Sequence, residues 1–199
     1  MQYDVMSMLL LNVVFSVKIA PAVVFMATLI RSLILLSGNK RVFRAWTRNA
    51  ILSAVSIIFF PGSIINTAVR YAVCSLFRID LKGVAAGSTY AELNLFLKVD
   101  SPPRVVVLIS ALFVSTIASV FIGFSLLFLP VVLLANAPVY LLCWYLSLAV
   151  LFNSSLKGGD VSLLGAALQK HQGKGIAELV IALSVLIVFY SVVGVGVGA

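Results

Sequence analysis

Charge is scarce in this sequence, and acidic charge scarcer still. Of 199 residues 10% are charged and six are Asp or Glu, where ordinary soluble domains carry about 25% charge. With 62% hydrophobic residues there is too little polar sequence to coat a soluble core of this size. Soluble enzymes, DNA-binding modules and secreted disulfide scaffolds are thereby excluded. Histidine is nearly absent: the one instance, His171, stands in Gln169-Lys-His-Gln-Gly-Lys-Gly175, which reads as a solvated loop. A zinc site takes three or four ligands from His, Cys, Asp and Glu, and one His with two separated cysteines does not supply them. Cys74 and Cys143 both lie in apolar stretches, where a free thiol behaves as a small hydrophobe, so neither a disulfide nor a metal site is implied. A Gly-x-Ser-x-Gly elbow, a phosphate-cradling loop and a His pair for haem are missing too. No cofactor is expected.

What the sequence does have is apolar length. Mean hydropathy is +1.18, and apolar segments stand out at about 5–37, 50–77, 105–129, 131–152 and 176–198. Each is close to or above the roughly 20 residues that cross a bilayer. The expectation is a single polytopic membrane domain over 1–199: an all-α integral membrane protein with about four to six membrane-embedded helices, multi-pass in the cell membrane. The first segment contains Lys18 and Pro21 and is led by Asp4 rather than by basic residues, unlike a cleaved signal peptide. Positions 105–152 hold no charged residue and suffice for two spans, with Pro130 and Asn136-Ala-Pro138 marking the turn or kinks. The last segment carries Glu178 near its start and one small-xxx-small pair, Gly194 and Gly198, of the kind that suits close helix contact.

Between these segments the composition changes. Lys40, Arg41, Arg44 and Arg48 repeat at helical spacing with Phe43 and Trp46 among them, which reads as a short interfacial helix carrying a basic cluster at the membrane surface. Each such cation is worth about 1 kcal/mol near anionic headgroups, and Trp is favoured at that depth. The net charge of +8 therefore points to anionic lipids and not to nucleic acid. Alternation of apolar and polar residues up to Asp100 predicts a small β-hairpin or strand near residues 84–100, ended by Ser101-Pro-Pro103. Residues 153–175 read as a polar loop.

The segment at 50–77 is the most unusual. Pro61-Gly62 interrupts it, and Asn66, Thr67 and Arg70 follow. Backbone freed at membrane depth is tolerated only where protein or trapped water satisfies it. A central Arg costs about 2.5–3.5 kcal/mol on insertion scales, so Arg70 needs a partner, for which Asp160 and Glu178 are the candidates, or else it snorkels to an interface beside Arg78. If this segment crosses, basic residues fall on both sides of the membrane. If it re-enters, the loops at 38–49, 78–104 and 153–175 share one basic side.

From Phe60 to Tyr71, Phe-Pro-Gly-Ser-Ile-Ile-Asn-Thr-Ala-Val-Arg-Tyr, the chain resembles the small intramembrane metalloproteases of the site-2 protease (M50-like) kind, in which a Phe-Pro-Gly-type start leads into a helix bearing His-Glu-x-x-His. The resemblance extends over roughly residues 58–165. It places Asn66 and Thr67 where the first His and the Glu would stand, Arg70 at the second His, and Asp160, in Asn153-Ser-Ser-Leu-Lys-Gly-Gly-Asp160, at the third zinc ligand. Zinc needs the His pair and hydrolysis needs the Glu as general base, and all three are replaced here. The resemblance therefore implies a pseudoenzyme with degenerate motif positions Asn66, Thr67, Arg70 and Asp160, with no catalytic residue and no metal. It also sets Arg70 and Asp160 against each other, with a guanidinium in the place of the lost ion.

Together these readings predict a protein that is not an enzyme: an integral membrane subunit that scaffolds or stabilises a larger membrane complex, its partners other integral membrane proteins and anionic lipids. The alternative is a small transporter or channel component with a broken second helix, although the uncharged stretch at 105–152 offers little to line a polar path.

Overall fold

The structure, a computed structural model, describes residues 5–37, 41–43, 46–48, 50–89, 92–132, 136–155, 157–170 and 173–195. Seven helices carry the described fold: α1 (Val5–Ser37), α2 (Ala50–Ile58), α3 (Phe60–Leu76), α4 (Val105–Val132), α5 (Ala137–Asn153), α6 (Gly158–Lys170) and α7 (Lys174–Val195). Two antiparallel hairpins interrupt them, β1 (Arg41–Phe43) with β2 (Trp46–Arg48), and β3 (Leu81–Thr89) with β4 (Glu92–Val99). It is an all-α membrane protein with a small sheet, as the apolar run lengths indicated. α1, α4 and α7 are each long and apolar enough to cross a membrane. The 17 residues of α5 extend about 25 Å, the short end of that range.

The connections differ from the sequence reading in three places. Residues 41–48 are not an interfacial helix: Arg41 pairs with Arg48, Val42 with Thr47 and Phe43 with Trp46 in a hairpin. The β-branched and aromatic residues Val42, Phe43, Trp46 and Thr47 favour paired strands, and this outweighs the helical spacing of the cations. Lys40 and Arg44 lie outside the described residues. The stretch read as a polar loop after α5 contains the 13-residue α6, whose apolar residues Leu163, Leu164, Ala167 and Leu168 pack on Val105 and Leu108 of α4. His171 lies outside the described residues. Finally, α4 continues through Pro130 to Val132.

The break in the second apolar segment falls at Phe59, one residue before α3. Pro61 then occupies the first turn of α3, where its missing N–H is no loss, while its ring is incompatible with continuing α2. The axes of α2 and α3 differ by 65°. α3 ends in a Schellman turn: Arg78 N–H donates to Ser75 O and Ile79 N–H to Cys74 O, each at 3.0 Å. Arg78 takes the left-handed conformation there, φ 54°, that Gly usually supplies.

Packing relies on small residues, as it does where backbones approach closely in lipid. A Cβ on Gly62 would stand 2.1 Å from the Ala149 carbonyl, so α3 and α5 touch backbone to backbone. Ser147 of α5 donates to Gly123 O of α4 at 2.7 Å. Asn12 of α1 donates to Ser125 of α4 at 2.9 Å.

These contacts fix the helix directions. Asn12 meets Ser125 and Arg31 meets Asn153, so α1 is antiparallel to α4 and parallel to α5. Glu178 meets Val106 and Phe189 meets Phe113, so α7 runs with α4. The end of α1, the end of α5 and the starts of α4 and α7 therefore share one end of the bundle, where both hairpins and α6 connect them. α2 and α3 both pack on β4, and Gly62 and Asn66 of α3 meet Ala149 and Val150 in the last turns of α5, an arrangement in which the bent pair enters and returns at that same end.

Candidate functional site

Ser63, Asn66, Thr67 and Arg70 recur at helical spacing on one face of α3, and the fold turns this face toward α5 and the first turn of α6. Asn66, 1% exposed, donates from Nδ2 to Val150 O at 2.9 Å. Thr67 is spent within its own helix, donating to Ser63 O at 2.8 Å. Arg70 Nη1 donates to both carboxylate oxygens of Asp160, at 2.6 and 2.7 Å. Its Nη2 reaches Ser155 O at 3.4 Å. The side chains of Arg70 and Asp160 are 13% and 15% exposed.

Asp160 is held from its own side as well. Its Oδ2 accepts the Lys157 N–H at 2.8 Å, which makes it the third helical residue of α6 reaching back to the N-cap backbone, half of a capping box. Lys157, buried, crosses to α3 and donates from Nζ to Ser63 Oγ at 2.9 Å. Glu178, the other acid considered for Arg70, instead accepts the Val106 N–H at 3.4 Å at the start of α4. Asp160 is thus the partner of Arg70.

A second polar cluster was missed in the sequence. Arg31 of α1, 7% exposed, donates to Asn153 Oδ1 at 3.1 Å and lies over the Phe152 ring at 4.9 Å. Asn153 in turn donates to Phe59 O at 2.8 Å, a carbonyl at the helix break that also accepts the Ser63 N–H at 3.4 Å, and Tyr145 OH donates to the neighbouring Ile58 O. The signal was present: Arg31 is a second cation in the first apolar run, and Asn153 is a polar residue closing another. Lys157, read as a loop cation, gave no hint of its reach to Ser63.

No family model, curated protein or solved structure matches this chain. Among the described residues no group of three or more His, Cys, Asp and Glu is placed to hold a metal. The positions that the resemblance assigns to a zinc ligand, a general base and a second ligand carry an amide bonded to a carbonyl, a hydroxyl bonded to its own helix, and a cation. A cation repels a metal ion, and an amide or a hydroxyl is a poor general base at neutral pH. What the arrangement does is fasten α3 to α5 and α6. Two buried oxygens, Asn66 Oδ1 and Ser155 Oγ, find no hydrogen-bond partner among the described residues. A cavity of about 790 Å³ opens beside the pair, between α3, β4, α4 and α6. Of the basic cluster, Arg41 and Arg48 are cross-strand neighbours in the first hairpin.

Proposed function

We propose that this chain is a non-catalytic subunit of a membrane complex, a degenerate relative in form of the site-2 protease kind, in which an ion pair stands where a metal would be held. The observation that carries the reading is the Arg70–Asp160 contact, with Nη1 within 2.7 Å of both carboxylate oxygens. A guanidinium is always charged and offers planar donors that suit a carboxylate. Filling a ligand position with it converts the site from a metal cradle into a clamp between two elements. Asn66 and Thr67 act in the same sense, since Asn66 Nδ2 is bonded to Val150 O of α5 and the Thr67 hydroxyl to its own helix.

The partners are other integral membrane proteins, in the cell membrane. Much of α1 and α7 is apolar and exposed, including Leu10, Phe25, Leu33, Ile181, Ile187 and Val192, and in a bilayer such faces meet either lipid or neighbouring helices. A transporter needs a polar path through the bundle, and Asn66 and Arg70 of α3 instead join α3 to α5 and α6, so the scaffold reading is the better supported.

Purification in a mild detergent, with cross-linking and mass spectrometry of the intact assembly, is expected to recover this chain with other membrane proteins at fixed stoichiometry. Elemental analysis is expected to find no stoichiometric zinc, and reconstituted protein is expected to leave membrane-embedded peptides uncut. One zinc per chain, lost in Asp160→Ala, would overturn the reading.

A further inference from the structure

We propose that the cavity between α3, β4, α4 and α6 binds a single-chain amphiphile with an anionic head, the head against Arg70 and Lys157 and the tail along β4 and α4. Its volume of about 790 Å³ lies within the roughly 300–1,000 Å³ of small-molecule sites. Two basic side chains, Arg70 and Lys157, and one acidic side chain, Asp160, line it. Two cations against one carboxylate leave a formal charge of +1 at one end of a largely apolar chamber. Buried charge of one sign favours a ligand of the other.

The Arg70 guanidinium keeps donors for such a ligand. Both short contacts to Asp160 come from Nη1, and among the described residues Nη2 has only the 3.4 Å contact to Ser155 O, although a guanidinium carries five N–H groups. A carboxylate or phosphate oxygen can therefore join Nη2 without displacing Asp160.

The opposite wall selects the tail. Leu95, Leu97 and Val99 alternate along β4 and so present one face, and Leu108 and Leu112 of α4 complete that side. These side chains offer contact to methylene groups and no hydrogen bond, which suits a hydrocarbon chain and penalises a peptide backbone, whose N–H and C=O groups would be left unpaired. The shared chemistry is an acyl or alkyl chain ending in a single anion, either a carboxylate or a phosphate.

Cys74 reports on occupancy. It lines the same cavity and is half-buried, as is Cys143, which does not line it. With the full chain in nanodiscs of zwitterionic phosphatidylcholine, hexadecanoate is expected to slow alkylation of Cys74 by N-ethylmaleimide and to leave Cys143 unchanged. Hexadecanol, with the same tail and no charge, is expected to need about tenfold more ligand for the same protection, the worth of one charge-assisted contact. Lys157→Gln is expected to raise the hexadecanoate concentration required by a similar factor while leaving the hexadecanol response unchanged. Hexadecyl phosphate protecting at lower concentration than hexadecanoate would assign the head to a lipid phosphate, and the reverse to a free fatty acid. Equal protection by hexadecanol and hexadecanoate, or no protection of Cys74 by any of the three, overturns the proposal in the wild-type protein, whatever the stability of the variant. So does protection by an apolar peptide where the amphiphiles fail.

Discussion

A cation within an apolar helix is tolerated only where another group makes its charge welcome, and Arg31 and Arg70 show two ways of doing so. Arg31 uses a neutral amide and an aromatic face, Asn153 and Phe152. Arg70 uses a carboxylate. The Asn153 contact also serves the backbone, because the same amide donates to the Phe59 carbonyl. The ionic solution serves two elements at once, because Asp160 also holds the first turn of α6. Removing one partner of a buried ion pair costs about 3–5 kcal/mol, and the 13% and 15% exposure of this pair puts Arg70→Leu toward the lower end. Asp160→Leu loses the helix cap as well, about 1 kcal/mol more. The Arg70→Leu/Asp160→Leu double variant leaves no orphaned charge. It is expected to be about 1–3 kcal/mol more stable than the sum of the single effects implies. Thermal unfolding of the four proteins in one detergent measures the cycle, and additive effects would mean that the two side chains do not act as a pair.

At the scale of elements, the contact between α3 and α5 is the tightest among the described glycines. The Cβ that Gly62→Ala introduces would lie 2.1 Å from both the carbonyl carbon and oxygen of Ala149. Backbone cannot yield as a flexible side chain does, so the two helices must separate, taking with them the Asn66–Val150 bond. The expected loss exceeds the roughly 1–3 kcal/mol of ordinary overpacking. Gly165, inside α6, is the control: a Cβ there meets nothing within 4 Å, so Gly165→Ala is expected to stabilise by about 0.5–1 kcal/mol. Unfolding midpoints of the two variants should move in opposite directions. The elements themselves were largely legible in the sequence, because long apolar runs and a short alternating stretch have few other solutions. The Pro61-Gly62 pair announced the break and its place to within a residue or two. The hairpin at 41–48 and helix α6 were not legible. Four cations at helical spacing suggest a helix only when strand-favouring neighbours are ignored, and the apolar face of α6 is too narrow to stand out until α4 is present to receive it. The pairing of Arg70 with Asp160 could be anticipated only through the family resemblance, since 90 residues separate them.

At the scale of the whole molecule, the fold resolves an orientation that the sequence left open. Read as five crossings, the chain would carry basic residues on both sides. In the structure α1, α4, α5 and α7 run between two ends of the bundle, and the bent pair α2–α3 enters and returns at one of them. Among the described residues, every Lys and Arg other than Lys18, Arg31 and Arg70 belongs to the connections made at that end, to α6 or to the first residue of α7. The link between α4 and α5 at the opposite end contains none, and neither does the last helix beyond Lys174. Short basic connections are retained on the cytoplasmic face, where each cation near anionic lipid is worth about 1 kcal/mol. The hairpins and α6 are therefore expected in the cytoplasm. A cysteine at position 42 on the first hairpin, Val42→Cys, with Cys74 and Cys143 changed to Ala, is expected to resist an impermeant maleimide in intact cells and to react once the membrane is opened. Under the same protocol a cysteine at position 136, ahead of α5 at the other end, is expected to react from outside. Labelling of residue 42 from outside and not of residue 136 would invert the molecule. Labelling of both from outside would mean that the bent pair spans the membrane after all, because only an additional crossing can separate the first hairpin from the connections that follow it.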